Sequence, residues 1–91
     1  MFLEECPQHL SRIRSAIREK DPLSLQRAAH TLKGLVANFE DKTAVEASFR
    51  LETMGRQGDL ADVEATLAVL EGEIAELRRA LAVVLREEAN P

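Results

Sequence analysis

The chain has 91 residues, 16 acidic and 12 basic, for a formal charge of −4 with neutral histidines. That length allows one small domain, and the acidic balance excludes the basic footprint of a nucleic-acid-binding protein. The chain is 45% hydrophobic but holds only three Phe and neither Trp nor Tyr, which disfavours a sheet architecture. Ala, Leu, Glu and Arg dominate instead, and all four favour helix. A domain of this size commits most apolar side chains to its core, so chemistry is expected on a helix face rather than in an enclosed pocket. Cys6 is the only cysteine, which excludes an intramolecular disulfide and a thiolate metal cluster. Residues 1–5 lack the basic and apolar regions of a signal peptide, and no apolar run approaches a membrane span. The expected location is cytoplasmic, with no membrane contact.

Apolar residues at Leu3, Cys6, Leu10, Ile13 and Ile17 step by three and four and predict a first helix over residues 2–19, beginning or bending near Pro7. Asp21-Pro22 reads as an N-cap followed by proline at the first helical position, opening a second helix over 22–39 with the stripe Leu25, Ala28, Leu32, Leu35 and Phe39. A polar turn over 40–43 leads to Thr43-Ala-Val-Glu46, which has the form of a capping box. The third helix, 43–56, turns Ala44, Ala47, Leu51 and Met54 inward, and Gly55 and Gly58 bracket its end. Asp59 is expected to cap a fourth helix over 59–87, whose stripe is Leu60, Val63, Leu67, Leu70, Ile74, Leu77, Leu81 and Val84. The predicted fold is all-α, an antiparallel up-and-down four-helix bundle in a single domain. The regular stripe of the last helix also admits a coiled-coil seam for dimerisation.

The second helix carries Ala29-His30-Thr31-Leu32-Lys33-Gly34. At about 100° per residue its apolar stripe lies nearly opposite His30, so the ring is expected to face solvent. Gln26, Gly34 and Ala37 share that face, and Lys33 flanks it. Mid-helix glycine costs roughly 0.5–1 kcal/mol relative to alanine, and close approach of a partner at Gly34 is one compensation. A surface histidine beside a tolerated glycine is the plainer reading. If the second and third helices form a hairpin turning near Asp41, residues at one level have numbers summing to about 82 by equal rise. Glu52 then lies level with His30 and Arg56 with Gln26, and Glu52 and Arg56, one turn apart, share a face with Val45 and Phe49. An exposed imidazole is largely neutral and nucleophilic at neutral pH. A carboxylate on Nδ1–H leaves Nε2 free to attack, and Lys33 and Arg56 offset the charge of a transferring phosphoryl group.

His30-Thr31-Leu32-Lys33-Gly34 resembles the His-x-x-Lys-Gly signature of histidine-containing phosphotransfer (HPt) domains of two-component phosphorelays. The likeness spans most of the chain: residues 2–7 resemble the opening of that family's first core helix, Asp21-Pro22 and Ala37-Asn38-Phe39 the two ends of the histidine helix, and Leu51-Glu52 with Gly58-Asp59 its last two helices. The resemblance implies that His30 is phosphorylated at Nε2, with transfer to and from aspartates of receiver domains. It also implies that Lys33 aids the phosphoryl group, that Gly34 permits close docking and that Glu52 holds the ring. Arg56 would supply a basic group near the phosphate. The implied partners are a response-regulator receiver domain and a sensor histidine kinase; Mg²⁺ would come with the receiver, and the domain itself would bind no cofactor or metal and have no kinase activity. Gln26, Gly34, Ala37, Val45 and Phe49 are the expected docking residues. Leu35-Val36 departs from the smaller residues common in the family. The late start of the chain relative to such domains suggests excision from a larger hybrid sensor kinase. The alternative function is a helical interaction module that dimerises through the last helix without chemistry.

Overall fold

The computed structural model describes residues 2–39 and 41–89, with side chains described over 5–39 and 41–84. Four helices form: α1 (Phe2–Arg18), α2 (Pro22–Val36), α3 (Lys42–Gln57) and α4 (Val63–Ala89), with a 3-10 turn at Ala37–Phe39 after α2. There is no strand among the described residues. Leu3 and Leu85 as side chains, and Glu40, Asn90 and Pro91 altogether, lie outside the described residues.

Local chemistry sets these limits. Pro7 sits inside α1, which runs through it. Asp21 is the N-cap of α2: its carboxylate accepts the Ser24 N–H at 3.2 Å and the Ser24 hydroxyl at 2.6 Å, and Pro22 follows at N1. The histidine helix ends at Val36, and its expected last turn is 3-10 rather than α. The cap of α3 is Asp41, not Thr43, because the Asp41 carboxylate reaches the Ala44 N–H at 3.0 Å. That N–H is the third of the helix, the group an N-cap oxygen serves best. Gly58 ends α3 in the left-handed region at φ 71°, where glycine has no Cβ penalty. The Gly58 N–H bonds to Gly55 C=O and the Asp59 N–H to Met54 C=O, the paired bonds of a Schellman ending. Asp59 does not cap α4: its side chain accepts the Ala61 N–H at 3.2 Å and closes a local turn, so the helix begins four residues later at Val63.

Among the described residues each helix touches the next and α4 also touches α1, whereas the backbones of the two diagonal pairs do not approach each other, which is the contact pattern of a helical bundle. The core comprises Cys6, Leu10, Ile13 and Ala16 from α1; Leu25, Ala29, Leu32 and Val36 from α2; Ala44, Ala47 and Leu51 from α3; and Val63, Leu67, Leu70 and Ile74 from α4. Each fully buried Leu or Ile contributes about 1.5–3 kcal/mol. The α2 stripe is rotated one residue from the expected one: Ala29 and Val36 are buried, whereas Ala28 and Leu35 are only half-buried. Cys6 is fully buried, and burial raises its thiol pKa. The α4 stripe leaves the core beyond Ile74, with Leu77 and Leu81 half-buried and Val84 exposed. Length explains this: the 27 residues of α4 extend about 40 Å, far beyond helices of 15 and 16 residues.

Candidate functional site

His30 follows buried Ala29 by one residue, so about 100° of helical rotation carries its ring out of the core. Its side chain is 67% exposed. Beneath it, α3 presents Glu52, whose side chain is only 10% exposed. Nδ1 of His30 lies 2.8 Å from Oε2 of Glu52. Nζ of Lys33, one turn along α2 on the same side, lies 2.7 Å from Oε1. One carboxylate thus serves two groups of the neighbouring helix.

The contact with Lys33 is the largest influence on Glu52, ahead of the opposing effect of burial. Together with the bond to His30 it holds the carboxyl below the usual range. An ionised carboxylate only accepts, so Nδ1 carries the proton of this bond, and a neutral ring has its lone pair on Nε2. Lys33 is confined from a second side, because Nζ stands 5.0 Å from the centroid of the Phe49 ring, within cation–π range. Phe49 itself is half exposed.

A shallow hollow of about 430 Å³ adjoins the ring, lined by Leu23, Gln26, Arg27, His30, Thr31 and Glu52. The imidazole and carboxylate border it, and the Lys33 ammonium meets the same carboxylate without lining the hollow. Arg56 does not join them: it is exposed, makes no bond to the three and does not line the hollow. Gly34 is exposed, and a Cβ there would have no neighbour within 4 Å. Ala37 is exposed in the 3-10 turn, Gln26 is half-buried, and Val45 is half-buried against the core. Leu23 and Arg27 also border the hollow; they stand seven and three residues before His30, a spacing that places them on its face although neither residue type marks them out. His9 is half-buried. Among the described residues no group of three or more His, Cys, Asp or Glu is arranged to hold a metal ion, and no helix is long and apolar enough to cross a membrane.

The family model described as "Hpt domain" matches residues 1–80. No curated protein and no solved structure matches the chain significantly.

Proposed function

The chain belongs to the Hpt domain family, whose members carry out histidine phosphotransfer with receiver domains and kinases in two-component relays, and on that premise we propose that His30 is the phosphoryl-carrying residue. In this reading the lone pair of His30 Nε2 attacks the phosphorus of an acyl phosphate on a receiver aspartate. An N–P bond forms, the P–O bond breaks, and the aspartate carboxylate leaves. The reverse step returns the group to an aspartate. Glu52 fixes the ring and its tautomer, and it stabilises the positive charge that the ring acquires as Nε2 forms its bond. Lys33 sits one turn away and supplies a charge to the phosphoryl oxygens, and the exposed Arg56 adds a second positive charge once a partner is docked. Mg²⁺ comes with the receiver, and the domain has no kinase activity of its own. Gln26, Gly34, Ala37, Val45 and Phe49 form the docking surface, with Gly34 leaving room for the partner's loops. The bundle runs up and down with antiparallel neighbours, since short connections join consecutive helices that touch. A cytoplasmic location follows from the relay role.

The observation that carries this reading is the 2.8 Å contact between Nδ1 of an exposed histidine and a buried, ionised carboxylate. The test is phosphorylation of the purified chain by a cognate kinase or phospho-receiver. Acid-labile, alkali-stable label is expected, and label that persists in His30→Gln refutes the assignment. A second reading, dimerisation through α4, is favoured by the half-exposed Val83 and Val84 near its end. Light scattering tests it, and a dimer is compatible with phosphotransfer.

A further inference from the structure

A second groove runs between α1 and α2, about 420 Å³ in volume. It exists because the facing side chains are small: Ala16 on α1 and Ala28 on α2 line it, with Ser11, Ser15 and Ser24. Two arginines stand over it, Arg12 and Arg27, and neither is within ion-pair distance of a carboxylate among the described residues. That is unusual company on a chain with more acids than bases. Glu19 is the one acid lining the groove. Taking α1 and α2 as antiparallel, equal rise puts Arg12 level with Ala28 and His9 level with Thr31, whereas Glu19 lies about 10 Å along the axis toward the connection. Asp21, beyond it, is already occupied by Ser24. The end nearest His30 is therefore the positive end. Arg27 and Thr31 line both this groove and the hollow beside His30, so the two are neighbours on α2.

We propose that the α1–α2 groove is a binding site for an oxyanion, a phosphate or carboxylate group held between the guanidiniums of Arg12 and Arg27. Guanidinium groups present paired N–H donors that match either oxyanion, and the small residues on the groove wall give the ligand room between the helices. Ser24 and Thr31 already donate their hydroxyl protons to Asp21 and to the Arg27 carbonyl, which leaves the hydroxyls of Ser11 and Ser15 and the ring of His9 as further polar partners lining the groove. This site is separate from the phosphotransfer chemistry and does not require it. His30 does not line the groove, although Arg27 and Thr31 border both it and the hollow beside the ring.

The test follows the backbone amide resonances of Ala16 and Ala28 while chloride is replaced, at constant ionic strength, by inorganic phosphate or by a tetraglutamate peptide. Saturable shifts with either probe are expected: with phosphate alone the ligand is a free or small-molecule phosphate, with the peptide alone an acidic segment. The Arg12→Gln, Arg27→Gln double variant should bind about tenfold more weakly or not at all, and His30→Gln should bind as the parent does. Both arginines are exposed, and an unchanged thermal melt of the double variant establishes that it is folded. No saturable shift with either probe, or shifts that survive the double substitution, overturns the proposal. Because binding is read in His30→Gln as well, failure here is distinguishable from failure of the phosphotransfer reading.

Discussion

Gly55 of α3 lies against the backbone of Gln26 on α2 so closely that a Cβ at Gly55 would stand 2.6 Å from the Gln26 nitrogen and 2.7 Å from the Pro22 carbonyl oxygen. Those neighbours are backbone and cannot swing aside. Here the backbones of α3 and the helix that carries His30 approach closely, so the contact helps fix the height of Glu52 beneath the ring.

Gly55→Ala and Gly34→Ala are therefore expected to differ in sign. At Gly55 the clash exceeds the helix-propensity gain of about 1 kcal/mol, and overpacking of this kind costs about 1–3 kcal/mol. Its thermal midpoint should fall, and phosphotransfer should slow because α2 must move. At Gly34 an added methyl meets nothing, so the same substitution should stabilise the isolated chain by roughly 0.5–1 kcal/mol. Transfer from a docked partner should nevertheless slow. Melting curves beside transfer rates check both, and a stabilised Gly34→Ala with undiminished transfer removes the docking role of Gly34.

Glu52→Gln separates ring orientation from stability. The amide keeps the shape of the side chain and loses its charge, so the ring is held less firmly and phosphotransfer is expected to fall about 10- to 100-fold, with a much smaller change in melting temperature. The pH dependence has a definite sign. The folded-state pKa of Glu52 is depressed below its unfolded value, so its stabilisation is fully present above the unfolded pKa, about 4.3. It is lost as pH falls through the folded pKa. The stability difference between parent and variant should accordingly shrink on acidification below about pH 4. A difference that is constant from pH 7 to pH 3 contradicts the ionised pairing.

Much of this was legible in the chain because helical periodicity reports which way a side chain points. The stripe opposite His30 placed the ring outward, and the sum rule for a hairpin put Glu52 at its level, where the 2.8 Å contact occurs. The boundaries were harder. Asp41 and Thr43 both carry capping oxygens, and only the backbone geometry decides that Asp41 reaches the Ala44 N–H. Asp59 is equally a capping residue by type, yet it closes a turn on Ala61. Period also does not resolve rotation by a single residue, hence Ala28 and Leu35 in place of Ala29 and Val36. Arg56 shares a helix face with Glu52 in projection, but one further turn carries it out to solvent. Gly55 read as punctuation at a helix end because close approach of two backbones leaves no periodic trace.

Ser48 offers a test of the core. It is fully buried on α3, and its hydroxyl has no hydrogen-bond partner. A buried hydroxyl left unpaired costs about 1–3 kcal/mol, and alanine is also the better helix former. Ser48→Ala should stabilise the chain by about 1 kcal/mol, which for a domain of this size raises the melting temperature by about 4–8 °C. Phosphotransfer should be unaffected. A lowered melting temperature would show that the hydroxyl is satisfied in solution.

A carboxylate pair sets the last expectation. Glu73 of α4 faces Asp41 at the N-cap of α3, and a carboxyl–carboxylate hydrogen bond to Asp41, then partial desolvation and the charges of Asp41 and Glu76, raise its pKa. The sign is opposite to that of Glu52. A carboxyl whose folded pKa exceeds its unfolded one binds its proton more tightly when folded, so stability is greatest in acid and declines as pH rises through the window between the two values. Above that window the repulsion is fully expressed. Glu73→Gln retains a donor toward Asp41 and cannot ionise, so it should match the parent near pH 4 and melt higher at pH 7, with the gap opening as pH rises from the unfolded value of about 4.3. At Asp41 the capping bond to the Ala44 N–H must also be kept: Asp41→Asn is expected to relieve the repulsion while keeping a capping oxygen, and Asp41→Ala to lose about 1 kcal/mol of capping. A Glu73→Gln variant with the same melting temperature as the parent at every pH would show that the two carboxyls do not meet in solution.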